Sequence, residues 1–252
     1  MFTIISMNYD SFIQKLNSEN YKLNEPMSKH TTVRIGGPAD IWYESPTTQD
    51  FVETIKLARE MNIPTTVIGR GANVLISDKG IRGLVIKNGG KEIKIGEDKS
   101  VQETESLVKE IQSRWDSATE AEGGRTMYEF KDLDYSEDNA PRVEVVIDSG
   151  VDMPFAINYL ITNGVTGLQW YAKVPGTLGG WIYNDVHGGT HFIHEVIKDV
   201  TVLDSDNVVT KLSKEELGFD YDHSRFHHSN EIILSATLEL FRGDRERARY
   251  TT

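Results

Sequence analysis

The stretch Ile68-Gly69-Arg70-Gly71-Ala72-Asn73-Val74-Leu75 decides how this chain is organised. It follows Pro64-Thr65-Thr66-Val67, a β-branched run that predicts a short strand. Gly69, Gly71 and Asn73 are the residues that adopt positive φ most easily, so the strand is expected to run into a turn. Backbone N–H groups can converge in such a turn and form an anion site that suits a phosphate.

The stretch differs from the dinucleotide fingerprint, which needs a third glycine and a following helix. Here Val74-Leu75-Ile76 predicts a further strand, so a phosphate would lie on loop N–H groups without a helix dipole. Most glycine turns of this kind are only turns. A functional interpretation of this stretch therefore depends on a second glycine loop about a hundred residues further along the chain.

Composition limits the class of protein. The 252 residues suit one large domain or two modest ones, and the net charge of -12 argues against nucleic acid or an anionic membrane as partner. The absence of cysteine excludes disulfides, thiolate metal sites and thiol catalysis. No segment reaches the roughly 18 apolar residues of a membrane-spanning helix, and the N-terminus lacks the pattern of a signal peptide. The sequence predicts a cytoplasmic protein.

The first part of the chain predicts a βαβ-type unit. A short helix is expected at residues 10–17, and strands are expected at residues 31–35, 40–44 and 83–87. Thr47 or Thr48 is expected to cap a helix that ends near Asn62 and buries Phe51, Ile55 and Ala58. The first glycine loop then lies at the carboxyl end of a strand, where such sheets usually hold ligands.

Residues 91–141 differ from the rest of the chain. A helix is expected at residues 103–117, whereas residues 120–125 and 132–139 are acidic and rich in turn formers. A solvated surface insertion is the favoured interpretation, and a partner-binding role is the alternative.

The second half begins with an alternating strand at residues 143–147. Asp152 is expected to cap a helix that buries Phe155, Ile157 and Leu160 and ends at Gly164. A hairpin is expected around Ser205-Asp206-Asn207, a capping box at Ser213 and Glu216, and a long strand at Ile232–Phe241. Residues 242–252 give no clear structural signal.

The second glycine loop is Pro175-Gly176-Thr177-Leu178-Gly179-Gly180. It offers a rigid entry, a hydroxyl and a glycine pair that permits close approach of the backbone to a flat ring or a phosphate. Taken alone, it fits a structural turn and a functional loop about equally well.

Four stretches together resemble the UDP-N-acetylenolpyruvoylglucosamine reductase family, also called UDP-N-acetylmuramate dehydrogenases. In the family's order they are the stretch at residues 30–40 (His-Thr-Thr-Val-Arg-Ile-Gly-Gly-Pro-Ala-Asp), residues 69–75, residues 174–180 with Asn184, and residues 221–226 (Tyr-Asp-His-Ser-Arg-Phe) followed by the last strand. One stretch would be a weak signal, but four in the same order are a strong one.

The resemblance implies an α+β, two-subdomain FAD-binding fold of the reductase and vanillyl-alcohol-oxidase-like type, with subdomains at residues 1–86 and 87–252. It implies FAD as cofactor, NADPH as hydride donor and a sugar nucleotide, UDP-N-acetylglucosamine enolpyruvate, as substrate in peptidoglycan precursor synthesis. The residues that it assigns to the cofactor are Gly69, Arg70, Gly71, Ala72, Asn73, Val74, Pro175, Gly176, Thr177, Gly179, Gly180 and Asn184. It places the catalytic positions at Tyr221, Asp222 and Arg225.

The sequence departs from the family in its catalytic part. The family has an arginine after the tyrosine of the closing motif, where this chain has Asp222; Arg225 is the candidate substitute. The family's third domain supplies a serine proton donor and a glutamate, and neither has a match here. Two alternatives therefore stay open: a flavin-binding module that does not reduce the sugar nucleotide, and a flavoenzyme that acts on another small molecule.

Six of the seven histidines form two groups. These are His187, His191 and His194, and His223, His227 and His228. A zinc site is conceivable from imidazoles at such spacings, but no fourth ligand has a diagnostic position, so no metal is predicted. Arg34 could pair with a flavin phosphate, although a surface charge is the favoured interpretation.

Overall fold

Two β-sheets, one built from residues 21–88 and one from residues 93–241, form the frame of the chain. The computed structural model describes residues 3–16, 20–96, 135, 137 and 140–252, and only the backbone of residues 3–8. The helix predicted at residues 103–117 and the acidic stretch at 120–125 lie outside the described residues.

The first sheet has four strands in the order β1-β2-β4-β3. They are β1 (Tyr21–Pro26), β2 (Pro38–Ser45), β3 (Thr65–Val67) and β4 (Ile81–Asn88). Strand β1 is antiparallel to β2, whereas β2 and β3 both run parallel to β4. The predicted parallel unit is confirmed, with β4 inserted between the two strands that the intervening helix connects.

Two helices cover this sheet, α1 (Thr3–Leu16) and α2 (Thr48–Glu60). The predicted cap of α2 is confirmed, because the Thr47 hydroxyl accepts a hydrogen bond from the Asp50 N–H at 3.1 Å. Phe51 and Ala58 are fully buried against Phe12 of α1 and the sheet. The apolar stripe therefore fixes α2 with its last turn beside the edge strand β3.

The second sheet is antiparallel and has the order β10-β9-β11-β6-β5. Its strands are β5 (Ile93–Ile95), β6 (Arg142–Asp148), β9 (Ile197–Leu203), β10 (Val209–Ser213) and β11 (Ile232–Phe241), and a separate ribbon pairs β7 (His187–Gly188) with β8 (His191–Phe192). Helices α3 (Met153–Thr162), α4 (Leu178–Tyr183) and α5 (Arg245–Thr251) accompany it. The predicted hairpin between β9 and β10 and the predicted last strand are confirmed.

Local capping signals in this half also hold. Asp152 caps α3 by accepting a hydrogen bond from the Phe155 N–H at 3.3 Å. The Ser213 N–H donates to the Glu216 carboxylate at 2.8 Å, although the turn that follows is a 3-10 helix rather than an α-helix.

Three sequence predictions are wrong, and one helix was not predicted. Residues 31–35 form a turn, because the Thr31 hydroxyl donates to the Ile35 carbonyl at 2.9 Å and accepts from its N–H at 3.2 Å. Residues 74–76 are not a strand. Phe155 is 60% exposed rather than buried, and residues 245–251 form the unpredicted helix α5, capped by Asp244.

The two sheets share part of one core. Leu203 and Leu234 of the second sheet are buried in the apolar cluster of the first sheet. Strand β4 continues through Ile86 to Asn88, and the division into subdomains at that residue stays a prediction. No helix in the described ranges is long and apolar enough to cross a membrane.

Tyr135 and Glu137, near the end of the predicted insertion, contact loops of the second sheet. The Thr166 hydroxyl and the Gln169 amide donate to the two carboxylate oxygens of Glu137 at 2.7 and 2.9 Å. Tyr135 packs edge-on against Trp170 with ring centroids 4.8 Å apart. This part of the insertion is therefore in contact with the body of the protein.

Candidate functional site

A cavity of about 990 Å³ runs between the two sheets and is lined by both glycine loops. Its volume lies at the upper end of the range for small-molecule and cofactor sites. Every residue that the sequence assigned to the cofactor lies in its wall, namely Gly69, Arg70, Gly71, Ala72, Asn73, Val74, Pro175, Gly176, Thr177, Gly179, Gly180 and Asn184. The fold thus brings together two segments that are about a hundred residues apart in the sequence.

The first loop leaves the sheet after β3, where the Ile68 N–H still donates to the Ile86 carbonyl at 3.0 Å. Of the three residues expected to adopt positive φ, only Gly71 does, at +68°. A Cβ on Gly71 would lie 2.1 Å from the His30 carbonyl oxygen, because the turn at residues 30–32 crosses over the loop. The Thr32 N–H donates to the Gly71 carbonyl at 3.0 Å and fixes this crossing.

The backbone N–H groups of the first loop have no acceptor among the described residues. Over the described ranges, none of the N–H groups of residues 69–76 donates a hydrogen bond to another residue. Consecutive backbone N–H groups without acceptors are costly in a wall that is partly buried, unless water or an anion accepts from them. The loop therefore has the hydrogen-bonding capacity that a phosphate group needs.

The second loop is held rigidly against the segment that connects β6 to α3. The Met153 N–H donates to the Gly176 carbonyl at 3.0 Å, and the Leu178 and Gly179 N–H groups donate to the carbonyls of Val151 and Ser149 at 3.1 and 2.9 Å. These bonds place Gly179 and Gly180 in the first turn of α4.

The two glycines of this turn differ in what surrounds them. A Cβ on Gly179 would lie 3.1 Å from the Cβ of Ser149, which is a tight contact. A Cβ on Gly180 would meet only the Thr177 hydroxyl oxygen at 3.7 Å, which is an ordinary contact. Gly180 lines the cavity, so the protein itself does not fill the space beside it. Gly180 is therefore the position at which a bound group could approach the backbone.

The two loops meet directly. A Cβ on Gly69 would lie 2.4 Å from the Thr177 hydroxyl oxygen, so only glycine permits this contact. Beside it, Arg70 forms an ion pair with Asp152, the cap of α3. On the cavity floor, the Asn88 amide of β4 donates to the Ser149 hydroxyl at 2.9 Å. These contacts join the sheets along the cleft.

Phe226 of the closing motif also lies in the wall. The sequence assigned no cofactor role to the other wall residues, which come from the end of α2 and the residues after it, the end of β4, the segment after β6, α4, the turn between β9 and β10 and the start of β11. They include Arg59, Ile63, Thr65, Asn88, Ser149, Tyr183, Ser205, Asn230 and Ile232. The Trp181 indole nitrogen is buried and has no acceptor among the described residues. Only the packing of the two sheets brings these residues together, and no local pattern could have indicated them.

The three predicted catalytic residues do not lie in the cavity wall. Tyr221 is 66% exposed, and Asp222 follows it at φ +51° in a surface turn. Arg225 donates to both carboxylate oxygens of Glu231 at 2.9 Å and to the Glu216 carbonyl at 2.9 Å. The catalytic role of these residues stays a prediction, and the guanidinium of Arg225 already has carboxylate and carbonyl partners.

The histidines are held by carboxylates and aromatic rings. His194 contacts the Asp185 carboxylate at 2.7 Å, and His191 contacts Glu195 at 3.0 Å. Burial raises the pKa of Asp185, and the hydrogen bond from His194 opposes this shift. The rings of His223 and His227 stack 4.8 Å apart. In the described part of the chain, no three residues that could bind a metal form a group.

Curated proteins that are similar in sequence to this chain include several UDP-N-acetylenolpyruvoylglucosamine reductases. No protein-family model matches the chain. The UDP-N-acetylenolpyruvoylglucosamine reductase of Caldanaerobacter subterraneus is 29% identical over 224 residues, which cover 89% of this chain and 60% of that protein. The protein of the same name from Clostridium tetani is 30% identical over a region that covers 93% of this chain and 62% of that protein. This chain is similar in sequence to UDP-N-acetylenolpyruvoylglucosamine reductases.

The resemblance found in the four motifs is thereby confirmed. The chain spans about 60% of the length of the curated reductases that it matches. The reductase fold is also confirmed: the solved reductase of Thermus caldophilus has a TM-score of 0.60 at 19% identity, over 92% of this chain and 65% of its own. A VAO-type flavoprotein from Myceliophthora thermophila has a TM-score of 0.58 at 12% identity, over 94% of this chain and 47% of its own.

Proposed function

We propose that this chain binds FAD in the cavity between its two sheets. The observation that carries the proposal is the meeting of the two glycine loops at Gly69 and Thr177, with unpaired N–H groups on one loop and open space beside Gly180 on the other. FAD combines a diphosphate with a large flat ring. The N–H groups of the first loop suit the diphosphate, and the open space beside Gly180 suits the ring.

The residues of the wall divide between the parts of the cofactor. The N–H groups of residues 69–74 would donate hydrogen bonds to the diphosphate, and Arg70, which is paired with Asp152, would place a cation beside it. The turn at Gly179 and Gly180 would lie against the flavin ring. The unpaired indole N–H of Trp181 and the amide of Asn184 are further polar groups in the same part of the wall.

We further propose that the chain serves as the FAD-binding part of an NADPH-linked reductase of UDP-N-acetylglucosamine enolpyruvate. The names of its relatives support this substrate. Bound FAD supplies hydride transfer, whereas the protein orients the reacting groups and provides the electrostatic environment. A peptidoglycan precursor enzyme of this kind would work in the cytoplasm.

A second candidate is an FAD-binding protein that does not reduce this sugar nucleotide. The observation that favours it is the position of Tyr221, Asp222 and Arg225 outside the cavity wall, with Arg225 paired to Glu231. A reductase needs a positioned acid and a positive charge near the developing enolate. Another small molecule could then be the substrate, or the chain could act as a binding or regulatory module.

Anaerobic stopped-flow measurements separate the two candidates. The FAD-loaded chain is mixed first with NADPH, to follow bleaching of the flavin, and then with UDP-N-acetylglucosamine enolpyruvate, to follow its reoxidation. The reductase proposal predicts bleaching and a reoxidation rate that rises with the substrate concentration. Bleaching followed by reoxidation no faster than in substrate-free buffer would contradict it and favour the second candidate. Free FAD at the same concentration is the control.

A further inference from the structure

Arg59, in the last turn of α2, reaches from the first sheet's helix to two loops of the second sheet. One of its terminal nitrogens donates to the Asp204 carbonyl and to the Asn207 side-chain oxygen, the latter at 2.9 Å. The other donates to the Asn230 carbonyl at 2.6 Å. Asp204 and Asn207 form the turn between β9 and β10, and Asn230 precedes β11. A single guanidinium therefore ties α2 to both loops.

The Arg59 side chain and its hydrogen bonds to the two loops, here called the tether, lie in the wall of the cavity. Arg59 lines it together with Ile55 and Ile63 from its own side and Ser205 and Asn230 from the other. Burial lowers the pKa of Arg59, and the charge of Asp204 opposes this shift. An arginine side chain nevertheless stays protonated, so a fixed positive charge with hydrogen bonds to both loops forms part of this wall. Next to it, Leu203 and Leu234 pack into the core of the first sheet.

The position of Arg59 indicates which part of FAD it faces. This inference rests on the proposed binding of FAD. If the diphosphate lies on residues 69–74 and the flavin ring on Gly179 and Gly180, the part of the wall around Arg59 is available for the adenosine. That part mixes aliphatic side chains with polar groups and a planar cation, which suits a purine ring.

We propose that Arg59 is the residue that fits the cavity for FAD rather than FMN, by holding the two sheets together around the adenosine. FMN has the same ring and one phosphate but no adenosine. Loss of the tether should therefore weaken the binding of FAD and of ADP, which both carry adenosine, and leave the binding of FMN nearly unchanged.

The test is a set of titrations on the 252-residue chain and its variants. Arg59→Ala should raise the Kd of FAD and of ADP at least about tenfold, equivalent to about 1.4 kcal/mol. The Kd of FMN should change much less. Arg59→Lys keeps the charge but not the fork of donors, so an intermediate loss of FAD affinity is expected.

Two further variants keep the test decisive. Arg82→Ala is the matched control, because among the described residues Arg82 donates to the Pro38 and Lys79 carbonyls and pairs with Asp40, all on the side of the first sheet. It should leave the Kd of FAD unchanged. Asn207→Gly removes one acceptor of the tether and suits the φ of +65° at this position, so it should fold even if Arg59→Ala does not. It should weaken FAD binding in the same direction, by less.

Different results would refute the proposed FAD binding and the proposed role of Arg59. A folded parent chain that takes up no FAD would refute the proposed function. A parent chain that binds FAD, with folded Arg59 variants that bind it equally tightly, would refute the role of Arg59 alone. A rise in the Kd of FMN as large as the rise for FAD would show that the tether shapes the whole cavity, and would overturn the assignment of the adenosine to this part of the wall.

Discussion

Gly180→Ala tests whether the flat ring lies where the structure leaves room for it. The added Cβ meets no protein atom closer than the Thr177 hydroxyl oxygen at 3.7 Å, so the protein should fold normally. Gly180 also lies inside α4, where alanine is favoured over glycine by roughly 0.5–1 kcal/mol. The free energy of unfolding without FAD should therefore stay constant or rise slightly.

FAD binding should change in the opposite direction. A methyl group that intrudes into a filled site costs about 1–3 kcal/mol, and each 1.4 kcal/mol is about tenfold in affinity. The Kd of FAD should then rise by about one to two orders of magnitude. Gly71→Val would be a poor test, because any Cβ at Gly71 would collide with the His30 backbone at 2.1 Å whether or not FAD binds.

The assay combines flavin fluorescence titration with urea unfolding of the ligand-free chain. Gly164→Ala is the reciprocal control: it lies outside the cavity wall, has nothing within 4 Å and has φ +72°. Alanine at that φ costs about 1–2 kcal/mol, so this variant should lose stability but keep its FAD affinity. A Gly180→Ala variant that binds FAD as tightly as the parent would show that the ring does not lie against this turn.

Two further predictions concern buried carboxylates. Glu137→Ala should lower the free energy of unfolding by about 1–3 kcal/mol in urea titrations, because it removes the nearer of the two acceptors of the buried Thr166 hydroxyl and of the Gln169 amide. An unchanged midpoint would contradict the contact. Burial alone would raise the pKa of Glu25, but hydrogen bonds from His30 and Lys29 hold that pKa below its ordinary value of 4.5. Ionised Glu25 therefore stabilises the fold fully above pH 4.5, and this contribution disappears as the pH falls through the pKa of the folded state. The difference in free energy of unfolding between the parent and Glu25→Gln should then shrink on acidification. A difference that grows at acidic pH would refute this assignment.

The parts of the fold that the sequence predicted were those set by one short segment. The β-branched run at Thr65–Val67, the caps at Thr47 and Asp152 and the strand Ile232–Phe241 each follow from local periodicity or a single side chain. Residues 31–35 have the composition of a strand, yet the Thr31 hydroxyl closes them into a turn over the first glycine loop. Helix α5 carried one local signal, since the Asp244 side chain accepts from the Arg247 N–H at 2.9 Å.

In the candidate site, too, some residues could be predicted from a local pattern and others could not. The glycine loops stand out because positive φ and close backbone approach leave a mark in the sequence, as at Gly69 and Gly71. Arg59 leaves no such mark. An arginine in the last turn of an amphipathic helix is commonly an exposed charge, and its bonds to Asp204 and Asn230 depend on how the two sheets pack.

Titration of the purified chain with FAD shows whether the cavity between the sheets holds this cofactor. Absorbance at the flavin bands and quenching of flavin fluorescence give the stoichiometry, and circular dichroism verifies the fold. We expect saturable uptake of one FAD per chain, and no uptake by Gly180→Val, in which a β-branched side chain fills the space beside the turn. A folded, colourless chain that leaves the fluorescence of added FAD unchanged would show that the cavity does not bind FAD.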